Sequence, residues 1–211
     1  MTPRAALLAF GALALIAARP PMRVQPNPSA VIAAEIGFNR LAQARGQWTA
    51  YRETAAKDAV LFVPQRVVAR DWLKGRADPP QAARWSPATV YVACDGRIAA
   101  SSGTMQRPDG SAGYVTTIWR LDEKGAWRWI MRHEGQGATP AAVPDQLTGK
   151  VATCKRPDGT PPPAGAAPPA DESLLWSAQA DPDGGRRVTV RMWTGEAYDT
   201  VIDDRVKAGA V

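Results

Sequence analysis

What the chain has little of narrows its chemistry first. One histidine, His133, and two cysteines, Cys94 and Cys154, are all it offers in 211 residues. Two thiols and one imidazole are too few for a structural zinc site, so no metal is expected. No nucleophile elbow, phosphate-binding glycine loop or metal triad is present, and no cofactor is expected. Arginines are scattered among strands and turns instead of forming a run, so the net charge of +6 reads as a solvated basic surface, with no nucleic acid as partner. Long hydrophobic runs are also missing, with one exception. Ala5 to Ala18 carries no charge, has the length of a secretory signal and is short of the roughly 20 residues of a membrane-spanning helix. Residues 1–18 are therefore expected to be a signal peptide, cleaved near Ala17 or Ala18. The mature chain would then be periplasmic or secreted, with no stable membrane insertion. An even cysteine count in an exported chain favours a Cys94–Cys154 disulfide.

What is present has a clear order. Asn27-Pro28 precedes SAVIAAEIGFNRLAQARG, which supplies a side-chain cap, a proline at the first helical position and apolar residues at spacings of three and four. WTAYRETAA predicts a second short helix, Ala59 to Val63 a buried strand ended by Pro64, and ARDWLKGRA a third helical piece. From Ser86 the period changes to two. TVYVAC, RIAASSGTMQR, AGYVTTIWRL and AWRWIMRH are separated by Asp95-Gly96, Pro108-Asp109-Gly110 and Asp122 to Gly125, the signature of an antiparallel meander. Residues 136–171 read as a linker that becomes proline-rich from Gly159 to Asp171. Residues 172–205 then read as a three-stranded meander, with Val188, Val190 and Met192 alternating against Arg187, Thr189 and Arg191. Three strands alone are marginally stable, so this unit is expected to pack on the first domain.

This order, together with WTAYRETAAKDAVLFVP, DWLKGRADPP and GAWRWIMRH, resembles the NTF2-like superfamily, and within it the SnoaL-like or DUF4440-type domains. The resemblance covers about residues 29–135 of a domain taken as 19–135. It implies an α+β cone: a curved antiparallel sheet wrapped by N-terminal helices, with a pocket at the open end, to which the small C-terminal β-meander is added. Members include isomerases, dehydratases, cyclases and many domains that only bind or dimerise, so the fold leaves the function open.

Strand alternation puts Trp127, Trp129, Met131 and His133 on one face of the last cone strand. The family's last strand has a W-x-I-x-x-x-H pattern pointing into the cone. Trp127, Trp129 and His133 match it, with tryptophan in place of isoleucine. His133 is thus expected at the pocket wall near Tyr51 or Trp72, and is the candidate catalytic acid or base. Tyr51, Asp58, Tyr91 and Tyr114 are the groups that could assist it. Eight tryptophans in the chain suggest a flat-sided apolar pocket, with Tyr51, Trp72, Trp119, Trp129 and His133 as the ligand-binding set. The leading expectation is a non-catalytic or weakly catalytic domain that binds a small apolar molecule or a partner. A proton-transfer enzyme using His133 is the second expectation, and a dimerisation module, two cones paired face to face as a homodimer, is the third. The state of the pocket separates the three: a mixed-polarity cavity favours chemistry, an apolar one binding, and a filled cone structure.

Overall fold

In the computed structural model, the residues described are 24–137, 146–154 and 172–207. The run from Ala5 to Ala18 and the proline-rich stretch from Gly159 to Asp171 lie outside them. The first helix, α1 (Pro28–Arg45), starts as its sequence requires, with the Asn27 side chain accepting from the Ala30 amide at 3.2 Å. Gly46 ends it with a φ of 103°, a conformation open to glycine, and α2 (Gln47–Thr54) follows at once. The second helix is shorter than its sequence suggests, because the chain turns extended at Ala55 to begin β1 (Ala55–Phe62). Val63 and Pro64 turn β1 back into a short antiparallel partner, β2 (Arg66–Val68), which the residue pattern did not reveal. The third helix, α3 (Ala69–Leu73), stops four residues short of the expected Ala77.

The expected meander forms β3 (Arg84–Val92), β4 (Ile98–Gln106), β5 (Ala112–Leu121) and β6 (Trp127–Gln136), paired antiparallel in that order. The sheet is larger and less uniform than expected. β1 adds in parallel beside β6, and β7 (Thr148–Val151), inside the stretch read as linker, adds in parallel beside β3. The seven strands run β2-β1-β6-β5-β4-β3-β7. The sheet is curved and carries register shifts in β1, at Pro87/Thr89 and at Ile118/Trp119. Each extra residue bends its strand and raises the local twist.

The concave face packs on the helices. Phe38 sits at its centre, edge-on to Tyr51, Trp85 and Trp119 at 4.9 to 6.1 Å between ring centres. The convex face is covered by a second sheet, β8 (Leu174–Ala180), β9 (Arg186–Trp193) and β10 (Tyr198–Val206), in the order β10-β9-β8. Its inward residues Leu174, Val188, Val190 and Ile202 form one buried cluster with Val60, Phe62, Ile118, Ile130 and Met131 of the cone. The C-terminal meander thus packs where it was expected to. The Cys94–Cys154 disulfide is present, with the Cα atoms 5.1 Å apart, within the range such a bond needs. Around it, the Cys94 amide donates to Ser173 Oγ and the Thr153 amide to the Trp193 carbonyl, so the end of β3, the residues after β7 and the small sheet meet at one point.

Candidate functional site

The interior of the cone is occupied by buried apolar and aromatic side chains, and its polar groups converge on Arg132. Glu35 lies on the buried stripe Val31, Glu35, Phe38 and Ala42 of α1. Its carboxylate accepts from Trp85 Nε1 at 2.7 Å, Trp119 Nε1 at 2.9 Å and Ser101 Oγ at 2.5 Å. Arg132 Nη1 approaches Glu35 at 3.5 Å and donates to Thr117 Oγ1 at 2.9 Å. Its Nε donates to Tyr51 Oη at 2.7 Å and to Glu134 Oε1 at 3.1 Å, and the Tyr51 hydroxyl donates to Glu134. The guanidinium carbon lies 4.3 Å from the ring centre of Trp85 and 5.0 Å from that of Phe38, a cation–π box. Burial works against the charge on Arg132. The oxygens of Tyr51, Glu134 and Glu35 outweigh it and hold the group charged, above its ordinary range. Burial pushes the Tyr51 hydroxyl well up, so it stays a neutral donor at neutral pH. The Glu134 side chain alone in this network is partly open, at 29% exposure.

His133 is not part of this interior. On β5 and β6, Ile118 pairs with Met131 but Trp119 pairs with Trp129, so Ile130 is the extra residue of a bulge. Trp127 and Trp129 face the helices, whereas Ile130 and Met131 both face the C-terminal sheet. Beyond the bulge the parity is reversed: Arg132 points into the cone and His133 out of it. The expectation that His133 lines the pocket wall near Tyr51 or Trp72 is corrected on this ground.

His133 is 1% exposed beneath the small sheet. Its Nδ1 accepts from Arg186 Nε at 2.9 Å, and its Nε2 faces Asp204 Oδ2 at 3.9 Å. Tyr114 and Phe62 flank the ring. Arg186 also donates to the Glu134 carbonyl, and Thr116 Oγ1 to Asp204. Burial, then the Arg186 charge, lowers the imidazole to about 3, so it is neutral and accepts through Nδ1. Burial raises Asp204 to about 6 and Tyr114 to about 12. These residues clasp the two sheets together.

The other candidates separate. Trp119 and Trp129 are core residues of the concave side, and the Trp129 indole donates to Thr54 Oγ1 at 3.0 Å. Trp72 is half-buried between Trp48 and the Arg76 guanidinium, and Trp48 in turn packs edge-on to Tyr51. Asp58 pairs with Arg120 at the surface, and Tyr91 packs on the convex side. Tyr51 is thus joined by Glu35, Arg132 and Glu134, none of which was singled out from sequence. A glutamate within the apolar stripe of α1 was the available signal. Among the described residues, no group of three potential metal ligands forms.

A groove of about 460 Å³ runs between the end of α1, residues 79–82, the start of β3, the end of β4 and the β4–β5 turn. Gln43, Gln81, Arg84, Gln106 and Arg107 supply its polar lining. Its Arg107 reaches the last strand of the meander, with Nη2 donating to the Gly135 carbonyl at 3.0 Å.

No protein-family profile matches the chain, and no curated protein matches it in sequence. Similar solved structures include a provisionally assigned ketosteroid isomerase from Parabacteroides distasonis, 18% identical, covering 55% of this chain and 97% of that one with a TM-score of 0.42. An NTF2-like protein of unknown function from Shewanella baltica is 14% identical over 53% of this chain and 94% of that one, with a TM-score of 0.40. A CaMKII hub from S. rosetta is 17% identical over 54% and 100%, also with a TM-score of 0.40.

Proposed function

We propose that this protein is an exported, non-catalytic cone module that binds at its surface, its interior charges serving the fold. The observation that carries this reading is the buried side-chain network inside the cone. Arg132 and Glu35 have side chains 0% and 2% exposed, and aromatic rings and hydroxyls occupy the space around them where a small apolar molecule was expected. A charge pair this deep must be matched by hydrogen bonds to be tolerated, and here every polar atom of the pair but Arg132 Nη2 is. The disulfide is compatible with an oxidising compartment. Two cones pairing through their convex faces would have to displace the C-terminal sheet, which already covers that face. Titration with the uncharged apolar dye Nile red tests the reading: the native protein should show no saturable binding. A one-to-one complex, or an apolar molecule retained in native mass spectrometry of protein purified from its own periplasm, overturns it.

One observation favours a second reading, in which proton-transfer chemistry rests on Glu134 and Tyr51 instead of His133. Glu134 belongs to the buried network and is partly open to solvent. A turnover found by substrate screening and lost in Glu134→Gln, with the fold intact, would replace the first reading by this one.

A further inference from the structure

The groove between the end of α1 and the β4–β5 turn has features of a built recognition site. Its lining contains two cations, Arg84 and Arg107, three neutral amide side chains and no carboxylate. Two acids flank it and are hydrogen-bonded within the fold: Asp109 accepts from the Ser111 amide at 2.9 Å, and Asp78, whose carboxylate lies against Gly46 of the lining, accepts from the Thr49 amide and hydroxyl at 2.9 and 2.6 Å. Arg107 is held in place before any ligand arrives, with Nη1 donating to the Ala112 carbonyl at 3.2 Å and Nη2 to that of Gly135. Gly113 allows this, because a Cβ there would lie 2.7 Å from Arg107 Nη1. Gln43 is fixed as well, its Nε2 donating to the Ala83 carbonyl at 2.7 Å, and its Oε1 lies 3.5 Å from Arg84 Nε. Arg84 and Gln106 stand opposite each other across β3 and β4, and Pro79 and Pro80 form a stiff wall.

We infer that this groove binds a small organic carboxylate, held by the Arg84 guanidinium and oriented by the side-chain amides of Gln43 and Gln106. A planar guanidinium fork matches a carboxylate in two parallel hydrogen bonds. The volume is that of a small-molecule site and too small for a folded partner. Arg107 adds a second, anchored positive charge, which favours a ligand with two acidic groups. Preorganised donors keep the ordering cost of binding low. This inference rests on the reading of a surface-binding module, and its failure is separable: Nile red reports the cone interior, and the carboxylates below report the groove.

The experiment is a titration of the full chain with succinate, glutarate and citrate at low salt, followed by amide chemical shifts, with succinamide and inorganic phosphate as controls. At least one carboxylate should give saturable shifts confined to residues 42–46, 79–84 and 106–113. Arg84→Gln, a surface change that leaves the fold intact, should weaken that binding by roughly tenfold or more, the scale of a lost charge-assisted hydrogen bond. Gln106→Leu should weaken it by a smaller factor. Shifts that do not saturate with any of the three acids overturn the inference. So does binding unchanged in Arg84→Gln, equal binding of succinamide, or phosphate binding as tightly as the best carboxylate, which would mark a generic anion patch.

Discussion

The two faces of the seven-stranded sheet each bury an arginine, and the two are held in different ways. On the concave face Arg132 meets two carboxylates, a tyrosine, a threonine and the faces of three aromatic rings. On the convex face Arg186 meets one neutral imidazole and a backbone carbonyl; each of the two arginines leaves one Nη without a hydrogen-bond partner. The first arrangement ties α1, α2, β5 and β6 into one unit, so it belongs to the cone's own stability. The second joins two separately paired sheets, so its loss releases one of them. Burial depth is similar in the two cases; what differs is how much of the fold depends on the charge.

The largest effect should come from Arg132→Ala. Removing one partner of a buried ion cluster leaves Glu35 uncompensated, and about 3–5 kcal/mol of unfolding free energy should be lost. Arg186→Ala should cost about 1–3 kcal/mol, with hydrogen exchange rising first in β8 to β10. Equal losses, or exchange rising uniformly in both, would break the comparison. Chemical denaturation followed by tryptophan fluorescence, with exchange read by mass spectrometry, measures both.

Replacing Cys94 and Cys154 by serine should fall between those two. A cross-link spanning a sequence separation of 60 contributes about 4 kcal/mol in the chain-entropy model. Denaturation midpoints with and without the bond give the figure. No change in midpoint would mean that β7 pairing and the contacts of Ser173 and Thr153 hold the junction unaided.

Acid should sharpen the contrast, because two groups of the convex clasp titrate with opposite sign. His133 is held near 3 against an ordinary 6.5. The unfolded chain therefore binds the extra proton between those values, and stability contributed by His133 falls as pH drops below 6.5. Asp204 is raised to about 6 from 3.8, so the folded chain binds the extra proton there, and its contribution rises as pH drops from 6 to 4. Each slope is about 1.4 kcal/mol per pH unit at most. The native protein should be nearly flat across this window. Asp204→Asn should lose stability toward pH 4, and His133→Gln should gain it. Parallel pH profiles in the two variants would reject the account. At pH 7 the His133→Gln change itself should be the smallest effect, within about 1 kcal/mol, since an amide oxygen can still accept from Arg186; thermal melting at pH 7 checks it.

Much of this architecture was legible in local pattern, because a cap, a proline, a period of four or a period of two acts within a few residues. The Asn27 cap, the stripe of α1, the four meander strands with their turns and the inward alternation of β9 depend on little beyond their own neighbours. The disulfide pairing needed only two cysteines and an oxidising compartment. β7 was not legible, since four mostly exposed residues gain their order from the edge of β3.

Which face each residue of β6 presents was decided by tertiary structure. The residues Trp127 to His133 alternate without a visible break, and a bulge leaves no mark in a strand of tryptophan, arginine and isoleucine. It arises because β5 and β6 are paired in registers that differ by one residue on either side of Ile130. That single inserted residue turned His133 from a pocket group into a clasp under the C-terminal sheet, and turned Arg132 from an expected outward residue into the centre of the cone. Composition and periodicity determine that a strand exists. Only its pairing with a neighbour 6 to 23 residues away decides which of its side chains meet the helices.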